Sequence, residues 1–254
     1  MSSTPFRFKQ FTVAQDRCAM KIGTDGVLLG AWSPLDNHPN SILDIGTGTG
    51  VIALMLAQRS GAQHIDAVEV DEHAYEQATA NFENSPWSDR LFCYHAHLYE
   101  FAVEVDEQYD LIVCNPPFFA PHYKTDDTAR DKARFDDALP FDLLVGAVAK
   151  LLSEQGRFTM ILPFERETDF CLLAQKAHLY PSHIVRVRGT TKSPLKRSLL
   201  CFEKKIENSS VNQTNRQTPL VRKKPIIEAL TIEIARHTYT EEYTKLVEEF
   251  YLKM

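Results

Sequence analysis

The chain of 254 residues is long enough for one large α/β domain, and its 44% hydrophobic and 24% charged residues are those of an ordinary globular protein. No apolar run approaches the roughly 18 to 20 residues that span a bilayer, and the start Met1 to Phe8 has no signal-peptide core, so the expectation is a cytoplasmic protein with no membrane segment. Five scattered cysteines without a Cys-x-x-Cys pair indicate neither a disulfide framework nor a metal site, and the net charge of -6 hides a basic stretch in which eleven Lys or Arg between His183 and Lys224 face only two acids.

Residues 1–22 interleave aromatics with cations (Phe6, Arg7, Phe8, Lys9, Phe11, Arg17, Lys21) before the apolar segment Met20 to Trp32. Thr24 or Asp25 reads as the N-cap of a helix through Trp32. That helix start, behind Gly23, offers backbone amides to a ligand, although packing of Trp32 on the next strand is the plainer role.

Ser41 to Ile45 is a short apolar strand. Gly46-Thr47-Gly48-Thr49-Gly50 follows at once and runs into a helix from Val51, the arrangement in which backbone approaches a nucleotide-like ligand. The dinucleotide fingerprint is not met, because its third glycine position holds Val51. His64 to Asp71 is a second strand ending in acids. Glu69 at its carboxyl end is placed for the hydroxyls of a ribose, while Asp71 suits the N-cap of a helix over Glu72 to Phe82. A third strand, Leu91 to Leu98, puts His95 and His97 on one face without a third metal ligand.

The fourth strand, Tyr109 to Cys114, ends abruptly in Asn115-Pro116-Pro117-Phe118-Phe119. Two prolines forbid further ladder bonds, so a rigid loop follows whose first side chain is an amide that both donates and accepts. Alone, such a loop is either a stiff turn or a grip for a planar amino group. The charged stretch Ala120 to Ala138 has the length of a lid or a binding segment. Pro140 to Leu152 is an amphipathic helix, Gly156 to Leu162 a fifth strand and Glu165 to Ala177 a helix. Two strand-like runs, Ser182 to Arg188 and Ser198 to Lys204, then form a hairpin that adds an antiparallel strand to an otherwise parallel sheet. Polar residues 207–224 read as a mobile insertion, Ile226 to Ile234 as a strand or extended segment, and Thr240 to Tyr251 as a closing helix. The expected organisation is a single domain, 1–254, with an N-terminal cap segment (1–35), a core (36–205), an insertion (206–225) and a C-terminal extension (226–254).

Glycine loop, acid after the second strand and Asn-Pro-Pro-Phe after the fourth all fall at the carboxyl edge of one sheet. In these motifs the chain resembles the class I S-adenosylmethionine-dependent methyltransferases, and Asn115-Pro116-Pro117-Phe118 is similar to the motif with which such enzymes methylate an exocyclic or amide nitrogen. The resemblance implies a doubly wound, seven-stranded, mostly parallel sheet with an antiparallel last strand and small terminal extensions. It implies S-adenosyl-L-methionine as cofactor, held by Gly46, Gly48, Gly50 and Glu69 with Lys21, Thr24, Asp44, Val70 and Asn115. His97 stands near the adenine amine, where an Asp is usual. Further stretches (Phe8 to Phe11, Met20 to Trp32, Ala138 to Phe141, Lys196-Arg197, Tyr239 to Tyr243, Phe250 to Lys253) resemble the bacterial adenine-N6 methyltransferases of valine tRNA. That implies tRNA as partner, catalysis by Asn115, Pro116, Pro117 and Phe118, and substrate contacts from Phe119, Arg130, Arg134, Lys196 and Arg197. Another planar nitrogen, of an rRNA guanine or a protein glutamine, and a non-catalytic cofactor- and RNA-binding module stay open as alternatives. The oligomeric state is open too, with a monomer the simpler expectation.

Overall fold

The computed structural model describes residues 4–117, 139–204 and 224–254. Phe118, Phe119, Arg130, Arg134, the charged stretch up to Ala138 and nearly all of the expected insertion lie outside the described residues.

In chain order the elements are β1 (Phe6–Arg7), β2 (Thr12–Val13), α1 (Thr24–Trp32), β3 (Ser41–Ile45), α2 (Val51–Arg59), β4 (His64–Glu69), α3 (Glu72–Glu83), β5 (Leu91–His95), α4 (Leu98–Glu104) and β6 (Tyr109–Cys114). There follow α5 (Phe141–Leu151), β7 (Leu152–Pro163), a 3-10 turn (Phe164–Arg166), α6 (Glu167–Lys176), β8 (Leu179–Thr190), β9 (Leu195–Lys204), β10 (Ile226–Ala235), β11 (Thr238–Tyr239) and α7 (Glu241–Val247).

Strands β5, β4, β3, β6 and β7 pair in parallel in that order, and β9 lies antiparallel between β7 and β8. This is the expected seven-stranded sheet. Two further strands extend it, because β10 pairs in parallel with β8 and β11 turns back along β10, so that the whole sheet has nine strands. The C-terminal extension is thus continuous with the core rather than appended to it.

Period-two alternation sorts the apolar side chains into two layers. Ile42, Leu111 and Val113 face a core shared with α1, α2, α3 and α7, whereas Leu43, Ile45, Ile112 and Cys114 face α4, α5 and α6. Helix α1 is buried from Gly26 through Ala31, so it is an inner element and needs no amphipathic stripe.

Strands β7, β8 and β9 begin at Leu152, Leu179 and Leu195, ahead of the expected Gly156, Ser182 and Ser198, and three other boundaries also differ from expectation. Helix α1 starts one turn's fraction earlier than Asp25 would cap it: its N-cap is Gly23, with no side-chain cap. The third strand stops at His95, where the Ala96 amide donates to the Glu69 carbonyl (3.1 Å) and the chain turns into α4, with His97 as N-cap. Leu98, Phe101 and Ala102, spaced i, i+3, i+4, are the apolar signal for that short helix. The closing helix ends at Val247, and Tyr251 instead bridges to Phe8 as a strand residue.

Candidate active site

The sheet changes direction of winding between β3 and β6: β3 leads to β4 on one side, and β6 to β7 on the other. Ligands of open α/β sheets bind in the crevice at such a point, outside the carboxyl ends of the strands. The register pairs Ile45 with Cys114, so the next residue of each strand, Gly46 and Asn115, emerges at the same level on neighbouring strands. The glycine loop and the Asn-Pro-Pro loop are therefore immediate neighbours.

The glycine loop is built to bend. Gly46, Gly48 and Gly50 have φ of 67°, 55° and 80°. A methyl group at Gly48 would meet nothing within 4 Å, so its face is open to a ligand, whereas one at Gly50 would lie 2.5 Å from Phe82 Cε1. Gly50 is thus required by packing and by its left-handed N-cap role at α2, and Gly48 is the residue that leaves room.

Beneath the loop, Asp44 is wholly buried. Its Oδ2 accepts from Thr47 Oγ1 (2.6 Å) and from the Ala53 amide (3.2 Å), while Oδ1 has no hydrogen-bond partner. Burial, with a smaller contribution from the charge of Glu69, pushes this carboxyl up to about 7 despite those two bonds.

Glu69, at the carboxyl end of β4, accepts three backbone amides, from Gly48 (2.8 Å), Val70 (2.9 Å) and Asp71 (3.0 Å). This buried carboxylate, 8% exposed, is fixed by the loop it helps to shape. Asp71 caps α3 through the Ala74 amide (2.8 Å), as expected. Val70 is 39% exposed, an apolar surface beside Glu69 on which a planar ring can lie.

Other expected residues take distinct positions. Asn115 and Pro117 are half-buried and Pro116 is buried. A methyl group at Gly26 would lie 3.9 Å from Asn115 Nδ2 and 3.5 Å from Val51 Cγ1, so the first turn of α1 covers both loops. Lys21 and Thr24 are exposed where the chain enters that turn. His97 is exposed too, but as the cap of α4 and not as a strand residue; it is His95 whose Nε2 donates to the Val70 carbonyl (3.1 Å) and whose ring stacks on Tyr75 (5.2 Å). Lys196 is exposed at the start of β9, and Arg197 donates through Nε to Asp25 Oδ2 (2.7 Å).

Asn81 has no forerunner among the expected residues. Buried on α3, it donates to the carbonyls of Thr49 (2.8 Å) and Ala14 (2.9 Å) and accepts from the Ala14 amide (2.9 Å), so it ties the glycine loop to the N-terminal segment. Its sequence signal is a polar side chain on the buried face of an amphipathic helix.

A buried carboxylate oxygen without a partner, an open glycine face, an acid held by backbone amides and an exposed Val beside it fit S-adenosylmethionine: a cationic amine for Asp44, ribose hydroxyls for Glu69 and a purine for Val70. Asn115, beside Gly46 on the neighbouring strand, sets an amide at the edge of that loop. Among the described residues no group of three or more His, Cys, Asp or Glu is arranged to hold a metal ion, and no helix is long and apolar enough to cross a membrane.

The family model of the methyltransferase small domain matches residues 24–138. The chain is 54% identical over its whole length to the tRNA1(Val) (adenine(37)-N6)-methyltransferase of Christiangramia forsetii, whose whole length is also covered. It is 57% identical to the protein of the same name from Flavobacterium johnsoniae, over 98% of this chain and 100% of that one. Among solved structures, a predicted O-methyltransferase from Agrobacterium tumefaciens superposes with a TM-score of 0.65 at 16% identity, covering 89% of this chain and 96% of that one, which is likeness of fold. Identity of this extent, end to end, means that the chain belongs to the tRNA1(Val) (adenine(37)-N6)-methyltransferase family.

Proposed function

We propose that the protein transfers a methyl group from S-adenosylmethionine to the N6 amine of an adenine in the anticodon loop of a valine tRNA, beside the anticodon. The observation that carries this is the register that sets Asn115 next to Gly46 at the switch point, bringing an amine-gripping amide and a nucleoside-binding loop into one crevice. The names of the full-length relatives support adenine 37 of tRNA1(Val) as the target.

When bound, S-adenosylmethionine supplies a methyl group on a positively charged sulfur. The chain's share of the chemistry is to hold and aim the acceptor. An adenine amine is a weak nucleophile, because its lone pair is delocalised into the ring. The Asn115 side-chain oxygen and the Pro116 carbonyl accept its two hydrogens, which returns electron density to nitrogen and fixes its direction. Pro117, with its fixed φ, stiffens the backbone that presents that carbonyl. In this reading Phe118 stacks on the extruded base. Extruding a base costs a few kcal/mol, least where it is already single-stranded, which favours an anticodon loop over a duplex. No strong general base is required, since sulfur leaves neutral and water takes the proton that the methylated amine sheds.

Asn115→Ala tests the assignment. With labelled cofactor and tRNA the variant is expected to lose transfer by about 10²- to 10³-fold, the scale for removing one oriented polar contact in a reacting site. Its affinity for S-adenosylmethionine by calorimetry is expected to hold. Turnover close to wild type would overturn the role of Asn115, and label entering rRNA or protein in place of tRNA would overturn the substrate.

A further inference from the structure

Helix α1 meets the catalytic crevice at its weakest point. Its body is packed on all sides, but its amino-terminal turn has Gly23 as N-cap without a side-chain bond, exposed Lys21 and Thr24 around it, and a long first helical bond from the Val27 amide to the Gly23 carbonyl (3.4 Å). This is the turn in which a methyl group at Gly26 would come within 3.9 Å of Asn115 Nδ2 and 3.5 Å of Val51 Cγ1, so only a glycine's width separates it from the amide. Its tie to the sheet is Asp25, which accepts from Arg197 Nε at 2.7 Å across 172 residues of sequence. Arg197 is itself placed by register: it pairs with Pro163, the last residue of β7, one strand beyond β6 and its Asn115. Its Nη1 also donates to the Lys196 carbonyl (3.1 Å), so the guanidinium is oriented from both sides.

We propose that Asp25 and Arg197 are positioning residues for methyl transfer: the ion pair holds the first turn of α1 against Asn115 and so sets the side-chain amide that receives the adenine amine. The side chains of Asp25 and Arg197 are 30% and 35% exposed, and a pair so accessible contributes little to global stability. Its effect is local. An acid in the first turn of a helix also suits the positive end of the helix dipole, so Asp25 is held in place along two directions. The same geometry assigns Arg197 away from phosphate contact, because its Nε faces a carboxylate. Without the pair the turn shifts, and a displacement of Asn115 by an ångström is enough to slow transfer strongly. The proposal rests on Asn115 being the amine-gripping residue.

The test compares Asp25→Asn, Arg197→Met, the double variant and Arg197→Lys, each checked for an unchanged melting temperature, with Asn115→Ala alongside. A positioning pair gives a kcat about tenfold lower in either single variant, RNA KM and cofactor affinity within about twofold of wild type, no further loss in the double variant, and partial recovery with Arg197→Lys. An RNA KM that rises in Arg197→Met with a salt slope shallower by about one, while Asp25→Asn keeps its kcat, overturns the proposal and makes Arg197 a phosphate contact. Wild-type turnover in Asn115→Ala would instead overturn the underlying role of Asn115, whatever the pair does.

Discussion

Asp44, buried with an unpartnered Oδ1, is the residue at which the proposed cofactor contact would couple to stability. Its carboxyl is raised from 3.8 to about 7, by burial first and by Glu69 second, against the bonds from Thr47 and Ala53. The folded chain then binds this proton more tightly than the unfolded chain, so stability is lost as pH climbs from 3.8 to about 7 and levels off above. A shift of this size corresponds to something on the order of 4 kcal/mol. Asp44→Asn removes the charge, so the wild-type melting temperature is expected to fall relative to the variant between pH 5 and pH 7. A cationic amine beside the unpartnered Oδ1 offsets the cost, and S-adenosylmethionine is expected to narrow that gap for wild type while binding the variant weakly. Scanning calorimetry of both proteins across this range, with and without cofactor, is the check; parallel curves would remove Asp44 from the account.

At the scale of elements, the hairpin of β8 and β9 separates cations that shape the surface from cations that are free to meet a partner. Arg186 is gripped by Glu167 (2.7 Å and 3.2 Å), which also accepts from Ser198 Oγ (2.5 Å), and Arg188 donates to Thr231 Oγ1 (2.9 Å). Lys192 and Lys196, near the turn, are exposed at the carboxyl edge that carries Asn115. For the proposed tRNA these two lysines are the expected phosphate contacts. Lys192→Ala and Lys196→Ala are each expected to lower the slope of log affinity against log salt by about 0.7 to 0.9 and to weaken binding evenly across RNA sequences. Filter binding at several salt concentrations measures this, and an unchanged slope in both variants would refute it. The hairpin itself is legible in the sequence, since a β-branched run, Ser182 to Arg188, and an apolar run, Ser198 to Lys204, flank a Gly- and Pro-containing turn. Which of its arginines are occupied is not, because Glu167, Thr231 and Asp25 are brought to them from remote parts of the chain. The same contrast holds at the site. Gly46, Glu69 and Asn115 follow directly from where strands end, whereas Asn81 and the short reach of β5 before His97 depend on what α3 and α4 pack against.

On the scale of the whole molecule, the two ends of the chain close on each other. Phe8 bridges to Tyr251, the Lys9 amide donates to the Phe250 carbonyl (2.8 Å), and Lys9 Nζ reaches the Glu248 carbonyl (2.5 Å). Phe8, Phe11, Tyr243, Val247 and Phe250 belong to the core cluster that also contains α1 and α2, and β10 carries the sheet into the C-terminal extension. Contacts of this kind make the ends part of one cooperative unit with the methyltransferase core. Phe250 is 1% exposed, and Phe250→Ala is expected to cost about 3–5 kcal/mol and to lower the melting temperature by roughly 6–20 °C at this chain length. The two tryptophans report on different regions: Trp87 packs edge-on against Phe11 of the N-terminal segment (5.8 Å), and Trp32 lies beside His183 of β8 (5.3 Å). Single-tryptophan versions, Trp32→Phe and Trp87→Phe, therefore follow the clasp and the core separately in the Phe250→Ala background. One unit requires both signals to move down together in a single transition. A Trp87 signal that melts early while Trp32 keeps its wild-type midpoint would mean that the clasp is only an attachment to an independently stable core.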